Sequence, residues 1–383
     1  MADQAPDIHA RLEGAIADVD ADSWDALAGK GDPFLSHAFL RLLEESGSVG
    51  GTSGWSPLHL TLHRGDRLIG AAPAYLKAHS QGEYVFDHGW ADAWHRAGGE
   101  YYPKLLVAIP FTPCPGPRLL GENRAILVGA MEGVARQNGL SSVHATFCEE
   151  EDVQVFEERG WLVREGLQFH WRNHGYHSFD DFLAALTSRK RKAIRKERRT
   201  ACEGLEIRTL RGDEIGPEAA DAMWRFYQDT GARKWGHPYL TRAFFDAMVE
   251  RLGDRLLMFL ACRDGEPIAG ALNLVGQDTL YGRYWGALEH RPFLHFELSY
   301  YRAIEWAIEN GLQTVQAGAQ GEHKVARGYE PVITRSAHYL PHPDFAEAVA
   351  RFIEGERRAV AAERRYYLDL LPYRSEVLSN IAT

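Results

Sequence analysis

The 383-residue sequence has no run near 18 consecutive apolar residues, so no membrane-spanning helix is predicted. It has few cysteines: Cys114, Cys148, Cys202 and Cys262, widely scattered and never in a CxxC pair. That spacing argues against a disulfide framework or a cysteine-rich zinc module and reads as free thiols in a reducing compartment. It lacks an excess of positive charge. The net charge of −10 argues against a general nucleic-acid binder, while leaving room for a local basic patch. The opening MADQAPDIHARLEG lacks a basic segment followed by an apolar one, so no secretory signal is expected and a cytoplasmic location is.

What is present is ordinary globular composition, 45% apolar and 25% charged, with 10 Trp, 17 Phe and 16 Tyr to fill cores and line clefts. The length points to two domains. Two stretches also resemble each other, LHRGDRLIGAAPAYL (62–76) and ACRDGEPIAGALNLV (261–275). Each reads as a β-hairpin turning on Gly and Asp, 199 positions apart, and suggests two copies of one fold. Around each copy, strands come first and then a helix that returns to another strand. That order predicts an α/β fold of mixed sheets with helices on their faces. The expected divisions are 1–176, a basic helical connector 177–204, a second copy 205–345, and a charged helical tail 346–383.

In the connector, Ser178 is a good helix cap with Asp181 three residues on. Residues 189–199 then hold eight Arg or Lys and one Glu. Arg189, Arg191 and Arg195 are candidates for contacting nucleic-acid phosphates, in balance with a merely solvated helix face.

Three further motifs carry a family likeness. HKVARGYEPV (323–332) resembles the K-x-x-x-G-x-x-x-V segment of Fem-type acyltransferases. FDDFLAALTSRKRKAIRKERR (179–199) resembles a helix of the same group, and the stretches FDHGWADAWHRAGGEYYPKLLVAIPFTPCPGPRLL, YWGALEHRPFLHFELSYY and GAQGEHKVARG resemble its FemAB-like N-acyltransferase branch. The resemblance implies two tandem GNAT-like domains, with an acyl or aminoacyl group moved onto an amine acceptor in a cleft between them. It implies aminoacyl-tRNA as donor, used as a co-substrate without a prosthetic group, and leaves the acceptor open between a small molecule and a peptide. Acyl-CoA enzymes of this fold usually carry Q/R-x-x-G-x-G/A, and neither RLLGEN (118–123) nor RLEGAI (11–16) completes it. Acyl-CoA-dependent transfer stays as an alternative, and so does a non-catalytic module that binds tRNA or a metabolite.

Acyl transfer to an amine needs a proton acceptor, donors facing the carbonyl oxygen, and two substrates held together. The triplet Glu322, His323 and Lys324, with Gln320 just before it, offers both a base and a cation. Lys324 matches the lysine that the resemblance puts in the active cleft. On the helix expected from Pro292, His295 and Glu297 are candidate bases, with Tyr301 one turn beyond Glu297 and Trp285 upstream. Glu297 near a helix start has a structural alternative as a dipole-stabilised carboxylate. In the first half, Asp87, Trp90, Lys104, Thr112 and Arg118 are candidates for binding the acceptor, with an Asp87–Arg118 ion pair as the plain structural alternative. His295, Glu297, Glu322 and His323 are metal-ligand types, but no H-E-x-x-H or CxxC spacing supports a metal, and none is expected.

Overall fold

The computed structural model describes residues 8–234, 238–318 and 321–381. The chain forms two compact units. The first holds residues up to Gly166 together with Ile333–Val360, and the second holds Leu167–Val332 together with residues from Ala361 on. Each unit is therefore built from two separate chain segments.

In the first unit, strands Ile8–Glu13, His59–Arg64, Arg67–Ala72 and Leu120–Gly121 form one antiparallel sheet. A second set runs Trp55–Pro57, Ala74–Lys77, Lys104–Val107, Val143–Cys148, then residues 335–339. In that set Lys104–Val107 and Val143–Cys148 lie parallel. The amphipathic helices Arg124–Gln137 and Glu150–Glu158 bury Leu127, Val128, Met131, Val153 and Phe156 in this unit's core.

In the second unit, strands Glu206–Arg211, Leu256–Arg263, Glu266–Val275 and Thr279–Ala287 are antiparallel. Thr279–Ala287 then pairs in parallel with the short strand Thr314–Gln316. The run LLMFLAC is buried throughout, as a strand covered on both faces must be. Helices Pro217–Lys234 and Arg242–Leu252 precede these strands in the chain, and a long helical stretch from Leu294 to Glu309 follows them.

The two similar sequence stretches are hairpins with the same irregularity. Each ladder carries one extra residue on the strand after the turn, Ile69 opposite Leu62 and His63, and Ile268 opposite Ala261 and Cys262. These positions are also 199 apart. A bulge at matching places is a shared geometric solution, because one extra residue re-aims the strand and increases its twist.

Glycine matters most at Gly286, where strand meets helix. A Cβ there would stand 2.1 Å from the carbonyl oxygen of Phe226. At Gly282, on the same strand, the nearest neighbour would be an ordinary 3.4 Å away. Gly286→Ala is expected to cost about 3 kcal/mol by forcing the Pro217–Lys234 helix off the sheet, and Gly282→Ala less than about 1 kcal/mol. Urea unfolding of the two variants checks the contrast, and equal midpoints would refute it.

Candidate functional site

The second unit gathers most of the residues singled out from the sequence. Strands Thr279–Ala287 and Thr314–Gln316 stay paired for three residues, after which only the first continues. Past Gln316 the chain turns through Gly318 and Gly321, both at positive φ, into a short 3-10 turn, Glu322–Arg327. Gly321 is required twice over: its φ is 126°, and a Cβ would fall 2.7 Å from the His323 ring. Gln320 lies outside the described residues.

Lys324 sits on that turn and is fully buried. Its ammonium donates to one carbonyl, Gly318 O, at 2.6 Å. Burial alone pulls the Lys324 pKa down to about 7. A buried ammonium has three donors, and among the described residues this is its one hydrogen bond.

The neighbouring His323 joins a set of aromatic and imidazole groups. The exposed His323 meets the Tyr300 hydroxyl through Nε2 at 2.8 Å. His295 stands 6.1 Å from His323 and 5.1 Å from Trp285, ring centre to ring centre. Arg327 lays its guanidinium 3.4 Å over the Phe296 ring and donates to His323 O at 2.8 Å. Burial raises the Tyr300 hydroxyl beyond the range where it ionises near neutrality, so it works as a neutral donor or acceptor. The exposed Glu322 receives a hydrogen bond from Tyr367.

The helix expected from Pro292 begins instead at Leu294, because Phe293 before it takes a positive φ, and it carries a π segment at Glu297–Tyr301. Such bulges change which side chains share a face, and here Tyr300 and Tyr301 are both buried. Tyr301 donates to Glu197, which also takes Arg327 at 2.9 Å. Glu297, read from the sequence as a candidate base, is 0% exposed and fully engaged. It accepts from Arg198 through both oxygens at 3.0 Å and from Arg302 at 2.9 Å. Arg198 also holds Glu305 at 2.7 Å and covers the Phe179 ring at 4.4 Å. Burial works against the Arg198 charge, but Glu305 and Glu297 outweigh it and push its pKa up. Glu297 thus fastens the helix Ser188–Cys202 to the π segment.

That helix is two-faced. Ile194, Glu197 and Arg198 point inward, while Arg189, Lys192, Arg195, Lys196 and Arg199 are exposed. Of the three arginines chosen from the sequence, Arg189 and Arg195 lie on the exposed stripe and Arg191 is half-buried. Arg195 touches Asp180 at 2.9 Å.

The first unit divides its five candidates. Asp87, Trp90 and Lys104 gather in one buried polar cluster with Tyr101, His144 and His338. Arg118 lies in a different set of contacts. It is fully buried, and its guanidinium donates to the carbonyls of Thr146, Cys114 and Pro117, each at 2.8 Å. It pins the proline-rich loop and has little left for a ligand. Thr112 closes on Pro110 O at 2.9 Å in the same loop. Asp87 and Arg118 therefore do not form the ion pair weighed from the sequence: Asp87 pairs with Lys104.

Several partners were not singled out from the sequence. Glu197 had a signal, as the lone acid in a basic run. Arg327 and Tyr300 stand inside quoted motifs. Glu83, His144 and His338 had none, because only tertiary packing brings them to Asp87. Among the described residues, no three His, Cys, Asp or Glu side chains gather as a metal site, and no helix is long and apolar enough to cross a membrane.

The FemAB-like family, described as peptidoglycan biosynthesis/recognition, matches residues 15–375. Among solved structures, FemX aligns with a TM-score of 0.53 at 12% identity, over 87% of this chain and 98% of its own. The C-terminal domain of a protein named as a lysylphosphatidylglycerol synthetase, from Agrobacterium fabrum, aligns with a TM-score of 0.52 at 11% identity, over 88% and 96%. A tandem GNAT protein from the clavulanic acid biosynthesis pathway aligns at 0.45 and 12% identity, over 88% and 99%. No curated protein sequence matches. The likeness to FemX is one of fold, a mixed α/β architecture.

The two buried charges of the second unit predict opposite effects on stability. Glu297→Gln leaves Arg198 and Arg302 underpaired and is expected to cost about 2–4 kcal/mol. Lys324→Met removes a desolvated ammonium and is expected to raise Tm by several degrees. Below pH 7 the gain should be largest. Unfolded Lys324 is protonated up to its ordinary value while the folded group loses its proton near 7, so the penalty fades as pH rises from about 7 to about 10. Thermal scans at pH 6 and pH 9 check the sign.

Proposed function

The chain belongs to the FemAB-like family and is an acyltransferase, and from that premise we propose that it moves an aminoacyl group from a charged tRNA to the amine of a small molecule or peptide, in the cytoplasm. The observation that carries the reading is Lys324: a buried lysine that, among the described residues, has no carboxylate partner and one hydrogen bond, beside an exposed imidazole.

The chemistry follows from the groups. An aminoacyl ester has a carbonyl carbon that an amine attacks, and the carbonyl oxygen gains negative charge as the new C–N bond forms. The Lys324 ammonium is the donor for that oxygen, and its low-dielectric setting strengthens the interaction. The bond between the carbonyl carbon and the ribose oxygen then breaks, and the departing ribose oxygen needs a proton. On the way from ammonium to amide, the acceptor nitrogen loses two protons. His323, oriented by Tyr300, carries the second of these from the nitrogen to the leaving oxygen. No prosthetic group is needed, because the donor brings the activated carbonyl. The exposed stripe Arg189–Arg199 suits the phosphates of the donor, and the missing glycine signature of acyl-CoA enzymes favours tRNA over CoA.

Incubation with charged tRNA and an extract of candidate amines should give an amide by mass spectrometry, abolished by RNase beforehand. Lys324→Met should lower turnover by about 10²–10³-fold with binding of tRNA kept. In the wild type, turnover should fall above about pH 7 as Lys324 loses its proton. A product formed from acetyl-CoA, untouched by RNase, would replace this donor with a thioester. Changing Arg189 and Arg195 together to Gln should weaken tRNA binding and reduce the slope of log K against log salt by about 2. An unchanged slope would remove that helix face from the donor site.

A further inference from the structure

The first unit holds a buried polar cluster that neither the fold nor the second-unit site accounts for. Ser80, Glu83 and Asp87 come to it from the segment between strand Ala74–Lys77 and helix His88–Arg96. Lys104, fully buried, donates to Ser80 at 2.9 Å, to Glu83 at 2.8 Å and to Asp87. All three of its N–H groups are thereby taken. Asp87 also accepts from Tyr101 at 2.7 Å, and beyond it His144 and His338 share a contact between their Nδ1 atoms.

Two atoms are left over. Among the described residues, Glu83 Oε1 and Asp87 Oδ1 are buried without a hydrogen-bond partner, in residues only 4% and 3% exposed. A buried carboxylate oxygen without a donor is costly, and finding two on the carboxylates that share Lys104 points to a ligand that brings N–H groups. Nearby Lys77 donates to Gln81 O at 3.2 Å and lies 3.8 Å over the Trp55 ring.

The charges are tuned differently. Burial raises the Glu83 carboxyl to about 7, with Lys104 opposing and Asp87 adding to the rise. Burial would raise Asp87 too, but Lys104 holds it below the usual carboxylate range. Burial opposes the Lys104 charge, but Glu83 and Asp87 outweigh it and keep it an ammonium. Burial lowers Lys77 to about 7. His144 is lowered to about 3 by burial and Lys104, so it is neutral. One carboxylate stays ionised while its neighbour is ready to take a proton at neutral pH, a division of labour found in acid–base sites.

We propose that this cluster binds a primary ammonium group, with Asp87 Oδ1 and Glu83 Oε1 as acceptors. The binding does not rest on the transferase reading above.

The probe is ethylamine, with ethanol as the control, added to the full-length protein carrying 13C-labelled glutamate and aspartate carboxyls. A glutamate carboxyl should titrate near neutrality in the free protein. Ethylamine should lower that pKa, because a bound cation favours the ionised form, and ethanol should not. Binding should weaken about ten-fold between pH 8 and pH 6 and by a similar factor in Glu83→Gln. An ethylamine-insensitive carboxyl, or equal binding by Glu83→Gln, overturns the proposal and leaves a hydrated cluster. The wild-type titration decides the matter even if Glu83→Gln does not fold. Lys324→Met, expected to be inactive, should still bind ethylamine, so loss of transfer and loss of amine binding are read separately.

Discussion

Much of the second unit depends on one buried carboxylate. Glu297 is enclosed, and its two oxygens hold Arg198 and Arg302. A charge removed from water is tolerated only when its lone pairs are met, and two guanidinium groups meet them. Through Arg198 this anchor fixes the basic helix. The π segment that begins at Glu297 buries Tyr300 against His323 and Tyr301 against Glu197. Glu197 in turn holds Arg327, which holds the His323 carbonyl. The turn that presents His323 and Lys324 is thus positioned by side chains up to 130 residues away in sequence.

Two buried lysines show how environment rather than residue type sets behaviour. Lys104 has two carboxylates in hydrogen-bond contact and remains charged. Lys324 is equally buried but has a single carbonyl contact, and burial alone moves it to about 7. The first is held as a fixed charge. The second is balanced between two protonation states at the pH where an acyl transfer would run. The same contrast separates Asp87, kept ionised, from Glu83, raised towards neutrality. For the two lysines the difference is the number of opposite charges within reach.

The sequence by itself determined the hairpins, because a Gly–Asp turn between strand-like runs leaves few other conformations. It also determined the cap at Ser178, the helices from their apolar spacing, and the importance of the turn at Lys324, since Gly321 and Gly328 both demand positive φ. Only tertiary structure decided what the charged residues do. Glu297 and Arg118 look reactive in one dimension, yet packing surrounds each with partners and leaves it a fastener. Glu83 looks like a surface acid in a polar segment, yet the fold places it beside Lys104 and out of water. The reason is physical. Turn and helix preferences depend on neighbours in the chain, whereas a pKa and a hydrogen-bond partner depend on groups that only folding brings together.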